Sequence, residues 1–162
     1  MSLALWEYSI HFLAYGFGAG LIPVLPGTFG SLVGVILFWF IVPLGRVVNA
    51  GIIVVLGALG ILVCNLTAQH LGETDPSVIV WDEIVGLPVA MYLLPRDWRW
   101  ISVGFVLYRA FDIGKPFPIS AVEHGLGLGS GIMADDIVAG VYTLAILQLL
   151  RWSHTRGLFR AR

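Results

Sequence analysis

The chain has 162 residues, enough for one domain and little more. Hydrophobic residues make up 58% and charged residues only 12%, against roughly 45–50% and about 25% in ordinary globular chains; with mean hydropathy at +0.91, there is too little polar surface to cover a water-soluble fold, and an integral membrane protein is indicated. The formal net charge of −1 offers nothing to nucleic acid, and the single cysteine, Cys64 in GILVCNLTA, forms no internal disulfide and reads as a small core residue.

Leu3 to Tyr15 is read as a helix lying at the membrane interface or packed on a bundle. It lacks a basic leader and carries Glu7 early, so no cleavable signal peptide is expected. PVLPGTFGS, Pro23 to Ser31, joins proline and glycine with Thr28, a candidate N-cap for the first long apolar run, Phe29 to Leu44. The second run is Val47 to Leu71, and GETDPS separates it from the third, Val78 to Leu94, which carries Asp82 and Glu83 near its start. LPRDWRW, with tryptophans suited to an interfacial belt, precedes the fourth run, Trp100 to Phe111. GKPFP ends that run, and the fifth is Ile137 to Leu150. The lengths exceed those of strands and no alternation persists, so all five read as helices. The expectation is an all-α membrane bundle of about four or five hydrophobic helices with one polar end. Residues 1–162 form a single domain on this reading, with 1–15 as an N-terminal interfacial helix and 152–162 as a basic tail.

If each run crosses the bundle once, the ends near Thr28, Glu73, Asp82, Asp112 and Asp135 fall on one side. That end collects every acid except Glu7 and Asp97. A charge inside a membrane helix costs about 2.5–3.5 kcal/mol on insertion scales and rarely occurs without a partner or a task. Capping accounts for single acids near helix starts, but not for the adjacent pairs Asp82–Glu83 and Asp135–Asp136, whose members diverge by about 100° on a helix. Two such pairs converging with Asp112 would repel unless a cation sat among them. An all-oxygen set suits a hard divalent ion such as Mg²⁺ and argues against zinc. YRAFDIGKPFPI places Arg109 and Asp112 on one helical face, with Lys115 just beyond. Basic groups beside a metal cluster suit a phosphate, although Arg109 serves equally well as an ion-pair partner of Asp112. PGTFGS feeds a helix N-terminus whose free N–H groups, with Thr28 and Ser31, suit phosphate oxygens; a plain tight turn explains it as well. GLGLGSG reads as a flexible approach loop, or as a backbone donor site next to Asp135. His124, between Lys115 and Asp135, is the one histidine placed to matter.

Together GFGAGLIPVLPGTFGS, VIVWDEIVG, YRAFDIGKPFPI and GIMADDIVAG resemble the phosphatidylglycerophosphatase A family, in family order from about Gly16 to Val141. The resemblance implies an all-helical, Mg²⁺-dependent membrane phosphatase. Its reaction removes the terminal phosphate of phosphatidylglycerophosphate to give phosphatidylglycerol, in bacterial phospholipid synthesis. Its acidic motifs fall on Asp82 and Glu83, on Asp112 with Lys115, and on Asp135 and Asp136; its glycine turn falls on Gly27, Thr28, Gly30 and Ser31. The linker SAVEHGLGLGS departs from the family pattern, where a shorter, more basic stretch ending in a glycine pair is expected.

The expected metal ligands are therefore Asp82, Glu83, Asp112, Asp135 and Asp136. Asp82, Glu83, Asp112 and Asp136 are the catalytic candidates, and Thr28, Ser31, Arg109 and Lys115 the phosphate-binding ones. Phospholipid and membrane are the expected partners, with nucleic acid excluded. A cation transporter or a non-catalytic scaffold are the alternatives; the first predicts acids near mid-helix rather than at helix ends. Location in the bacterial inner membrane follows from the resemblance, with the site on the cytoplasmic side where the substrate lipid is made. Counting arginines runs the other way: Arg46, Arg96, Arg99, Arg151, Arg156, Arg160 and Arg162 collect at the end remote from the acids, which places the acids outside the cytoplasm.

Overall fold

A computed structural model describes residues 2–155, except for the side chains of residues 2–5 and of Glu123 and His124. Among the described residues it contains seven α-helices, two short 3-10 segments and no strand. The helices are α1 (Ser2–Ala14), α2 (Pro26–Ile41), α3 (Arg46–Leu71), α4 (Trp81–Met91), α5 (Trp98–Gly114), α6 (Ile119–Gly125) and α7 (Leu128–Thr155). The fold is the expected all-α bundle.

Among the described residues three segments are long and apolar enough to cross a membrane: Pro26–Leu44, Arg46–Leu71 and Leu128–Thr155. Their outward faces are oily, with Ile36, Phe40, Val47, Val54 and Val55 all more than half exposed. Such a surface is stable only against lipid. The protein is a membrane protein.

α4 does something else. Its 11 residues reach about 16 Å, roughly half of a hydrocarbon core near 30 Å. Beyond Asp82 and Glu83 in its first turn it is apolar on every face, and nearly all of it is buried. A helix of that kind belongs inside a bundle. One apolar cluster gathers Trp81 and Val85 of α4 with Ile10, Val63 and Met133; the other gathers Leu87, Ala90 and Met91 with Phe38, Tyr108 and Leu147. α4 is thus the axis on which α3 packs on one side and α2 and α5 on the other, with α7 alongside and α1 packed on α3. Gly86 and Gly140 let α4 and α7 touch backbone to backbone, since a side chain at either would strike the opposite helix.

Several expected boundaries move. The third run is shorter as a helix than Val78 to Leu94, and the fourth extends through Gly114. Thr28 is not an N-cap: Leu25, in a left-handed conformation (φ +55°), occupies that position, and Pro26 opens α2. Proline's fixed φ and missing N–H suit the first helical position. α7 starts at Leu128 rather than near Asp135, so the end of GLGLGSG is helix, not an approach loop. Residues 152–155 of the expected basic tail belong to α7, which continues through Thr155; residues 156–162 lie outside the described residues.

Candidate active site

The first turn of α4 carries Asp82 and Glu83, and three contacts fix it. Trp81 Nε1 donates to the Leu56 carbonyl of α3 at 3.1 Å. The Val80 amide donates to the Ala14 carbonyl, the last residue of α1, at 2.9 Å. Between α1 and α2 the GFGAG stretch forms a 3-10 turn, where Gly20 lies so close to the Val78 carbonyl that no side chain fits. The glycine-rich segment is therefore a wedge behind α4.

Asp135 and Asp136 lie past the second turn of α7. Helix-dipole stabilisation falls off within the first turn, so capping does not explain them. α7 winds from Leu128 because Gly129 presses directly on the Ile61 carbonyl and Asn65 of α3, and Asn65 Oδ1 accepts from the Gly129 amide at 3.4 Å.

These two placements bring Asp82, Glu83 and Asp136 together: one oxygen from each lies within 4.8 Å of the others. Asp82 Oδ1, Glu83 Oε2 and both carboxylate oxygens of Asp136 are buried without a hydrogen-bond partner among the described residues. Buried carboxylates in that state are costly unless neutralised. Hard oxygens converging with unspent lone pairs fit a divalent cation of the Mg²⁺ type, which takes oxygen ligands and keeps waters. Burial pushes the Asp82 carboxyl well above its ordinary range, and the charges of Glu83 and Asp136 push it further. Glu83 is pushed up to about 7, again chiefly by burial; its contact with Asp82 opposes the rise, Asp112 adds to it and Arg109 opposes it.

The five acids expected to share one ion divide. Asp112 and Asp135 stand outside the trio, each committed to a cation. Arg109 pairs with Asp112 through Nη1, lies 3.6 Å from Glu83 Oε1, and donates to Ser31 Oγ at 3.4 Å. Ser31 in turn donates to the Gly27 carbonyl at 2.8 Å. Lys115 Nζ lies 2.8 Å from Asp135 Oδ2 and 3.7 Å from Asp75. It reaches them from a left-handed C-cap of α5 (φ +38°), a conformation rare for a residue with a side chain. Asp135 Oδ1 accepts from the Asp136 amide at 2.9 Å, which ties the second ion pair to the trio.

On α2 it is Gly27 that meets the cluster, since a Cβ there would overlap Glu83 and the Arg109 guanidinium. Thr28 sits half-buried in the same turn. The side chain of His124 lies outside the described residues.

Sequence reasoning missed Tyr108. Its side chain is fully buried, and its hydroxyl lies against Gly86 beside Asp136. The available signal was its spacing, one helical turn before Asp112 on α5.

The family model for phosphatidylglycerophosphatase A matches residues 12–151. A phosphatidylglycerophosphatase A of Escherichia coli K12 is 42% identical over 142 residues, 86% of this chain and 82% of that one. A protein of the same name from Haemophilus influenzae is 40% identical over 148 residues, 88% and 89% of the two chains. No solved structure matches the chain. The four motifs and the acids they bring to one end of the bundle fall within the matched span, and the chain belongs to the phosphatidylglycerophosphatase A family.

Proposed function

We propose that the protein hydrolyses the terminal phosphate of phosphatidylglycerophosphate, releasing phosphatidylglycerol and inorganic phosphate, with Mg²⁺ held by Asp82, Glu83 and Asp136. The observation that carries the metal is the convergence of three buried carboxylates, four of whose oxygens have no hydrogen-bond partner among the described residues; the relatives' name carries the substrate. When bound, such an ion neutralises phosphoryl oxygens and makes water a better nucleophile near neutral pH.

The chain's own residues supply the rest. Arg109 is held in place by Ser31, Glu83 and Asp112, and its Nε is buried without an acceptor among the described residues. A phosphoryl oxygen satisfies that N–H, and a guanidinium there stabilises the charge that builds during transfer. Lys115 adds a second positive charge beside Asp135, and Thr28 with the first turn of α2 adds donors. Glu83 joins the two halves of the site, Oε1 toward Arg109 and Oε2 without a protein partner. It is the carboxylate proposed to accept the proton of the attacking water as the phosphorus–oxygen ester bond breaks. Asp112 and Asp135 orient the two cations rather than the ion.

The lipid's apolar part has a matching surface. Phe29, Leu32, Ile36 and Phe40 are exposed along the outward side of α2, roughly opposite Gly27 around the helix.

The test is phosphate release by the purified protein in mixed micelles, with Mg²⁺ or with a chelator. Phosphatidylglycerophosphate is expected to turn over only with the ion, and well ahead of phosphatidic acid or a soluble glycerol phosphate. Turnover that survives chelation sinks the metal, and equal rates on all three substrates sink the lipid assignment.

We also place the site on the cytoplasmic face of the inner membrane. Ser77, in the loop before α4, is exposed, and Cys64 is fully buried and silent toward reagents. A Ser77→Cys variant is expected to resist a membrane-impermeant maleimide in intact cells and to react once they are broken. Labelling of intact cells reverses the orientation and vindicates the arginine count.

A further inference from the structure

The bundle's other end carries a second polar feature, made of parts the reaction does not use. α3 begins at Arg46 behind Gly45 (φ +91°), with no side-chain cap. Its first helical hydrogen bond runs from the Asn49 amide to the Gly45 carbonyl at 3.0 Å, leaving the preceding N–H groups without helical acceptors. Beside them lies a cavity of about 270 Å³ lined by Gly45, Arg46, Asn49, Tyr92, Leu94 and Arg151, among others. Asn49 is 2% exposed, and its side-chain oxygen has no hydrogen-bond partner among the described residues.

An adjoining cleft of about 440 Å³ shares Arg46 and Arg151 and adds Gln148 and Trp152. Gln148 Nε2 is buried there without an acceptor. No carboxylate lines either space among the described residues. The frame is set by hydrogen bonds that leave charge to spare: Tyr92 donates its hydroxyl to the Arg46 carbonyl at 3.0 Å, and Arg151 donates through one nitrogen to the Leu93 carbonyl.

We propose that this pocket binds the headgroup of an anionic phospholipid, its phosphate between Arg46, Arg151 and the start of α3, and a headgroup hydroxyl on Asn49. Two arginines, an uncapped helix N-terminus and the Gln148 amide are donors awaiting an anion. The Asn49 oxygen is an acceptor awaiting a donor, which a phosphate lacks and a glycerol-type headgroup supplies. A lipid rather than a free ion is favoured by position. The pocket lies where three membrane-length segments end or begin, bordered by Val42, Leu93 and Trp152. Arg96 stacks 4.1 Å over the ring of Trp39 nearby, an arginine–aromatic pairing suited to the headgroup level. The proposal is independent of the reaction above, since none of these residues is placed in it.

Native mass spectrometry of the detergent-purified full-length protein, titrated with phosphatidylglycerol or phosphatidylcholine, tests it. One phosphatidylglycerol is expected to bind in preference to phosphatidylcholine, and Arg46→Ala to weaken it about fivefold, the effect of one basic residue near an anionic headgroup. Arg46→Glu is expected to weaken it further. The Arg46 side chain is exposed and only its carbonyl is used by Tyr92, so both variants keep that bond; a thermal melt checks that they fold. Any lipid held at the carboxylate end is unaffected by Arg46, so the difference between wild type and variants isolates this pocket. Binding that resists millimolar inorganic phosphate supports a lipid occupant, and displacement by phosphate overturns it. Equal retention by wild type and folded variants overturns the site.

Discussion

Asp136→Asn and Asp82→Asn are each expected to lower turnover on the order of a thousandfold, the scale lost when preorganised charge stabilisation is removed. Asparagine keeps the shape and gives up the charge. The expected effect on the folded protein has the opposite sign. Without an ion, Asp136 adds like charge to a buried trio with Asp82 and Glu83, so the neutral variant is expected to melt no lower than wild type. Ion addition separates the cases further. An ion that binds only the folded state adds about 2.7 kcal/mol at a concentration a hundred times its Kd. Wild type is expected to show that rise in melting temperature with Mg²⁺, and Asp136→Asn to lose it. Normal turnover in both variants would remove these acids from the chemistry; a Mg²⁺-induced rise preserved in Asp136→Asn would move the ion elsewhere.

The convergence of the acids was legible because the chain is so poor in charge. Against a background of apolar runs that reverse direction at each turn, Asp82, Asp112 and Asp135 fall on one side by alternation alone. The division of labour among them was not legible. It depends on how far α4 and α7 slide past each other, which Gly86 and Gly140 set through backbone contact, and no periodicity reports that. The half-length of α4 was hidden for a related reason. A buried helix and a membrane-crossing one share the same apolar composition, and only its burial on all sides tells them apart. Nor does local sequence reveal that α7 already winds at Leu128, since Gly129 looks like loop until α3 is seen pressing on it. Tyr108 reads as one more core aromatic, because its hydroxyl acquires meaning only from Asp136 beside it.

The two ion pairs bear on the second large effect, at Arg109. Its side chain is 14% exposed, and those of Glu83 and Asp112 are 12% and 13% exposed, so the three share a largely desolvated space. Removing the cation leaves two acids there without compensation. Arg109→Ala is therefore expected to cost about 3 kcal/mol of stability, at the lower end for a broken buried pair because some solvent reaches it. It is also expected to lower kcat/KM by about a hundredfold or more. Stability and activity falling together do not distinguish a phosphate ligand from a counter-ion, and Arg109→Lys does. An ammonium can still pair with Asp112 and Glu83, so much of the lost stability is expected to return in denaturation of the detergent-solubilised variant. It has no counterpart to Nε, the donor without an acceptor among the described residues, and it lacks the planar fork that meets phosphate oxygens. kcat/KM is accordingly expected to stay low in the lysine variant, with Mg²⁺ still raising its melting temperature because the trio is intact. Near-normal turnover by Arg109→Lys would reduce Arg109 to holding Glu83 and Asp112 in place, and would leave Lys115 and the first turn of α2 to bind the phosphate.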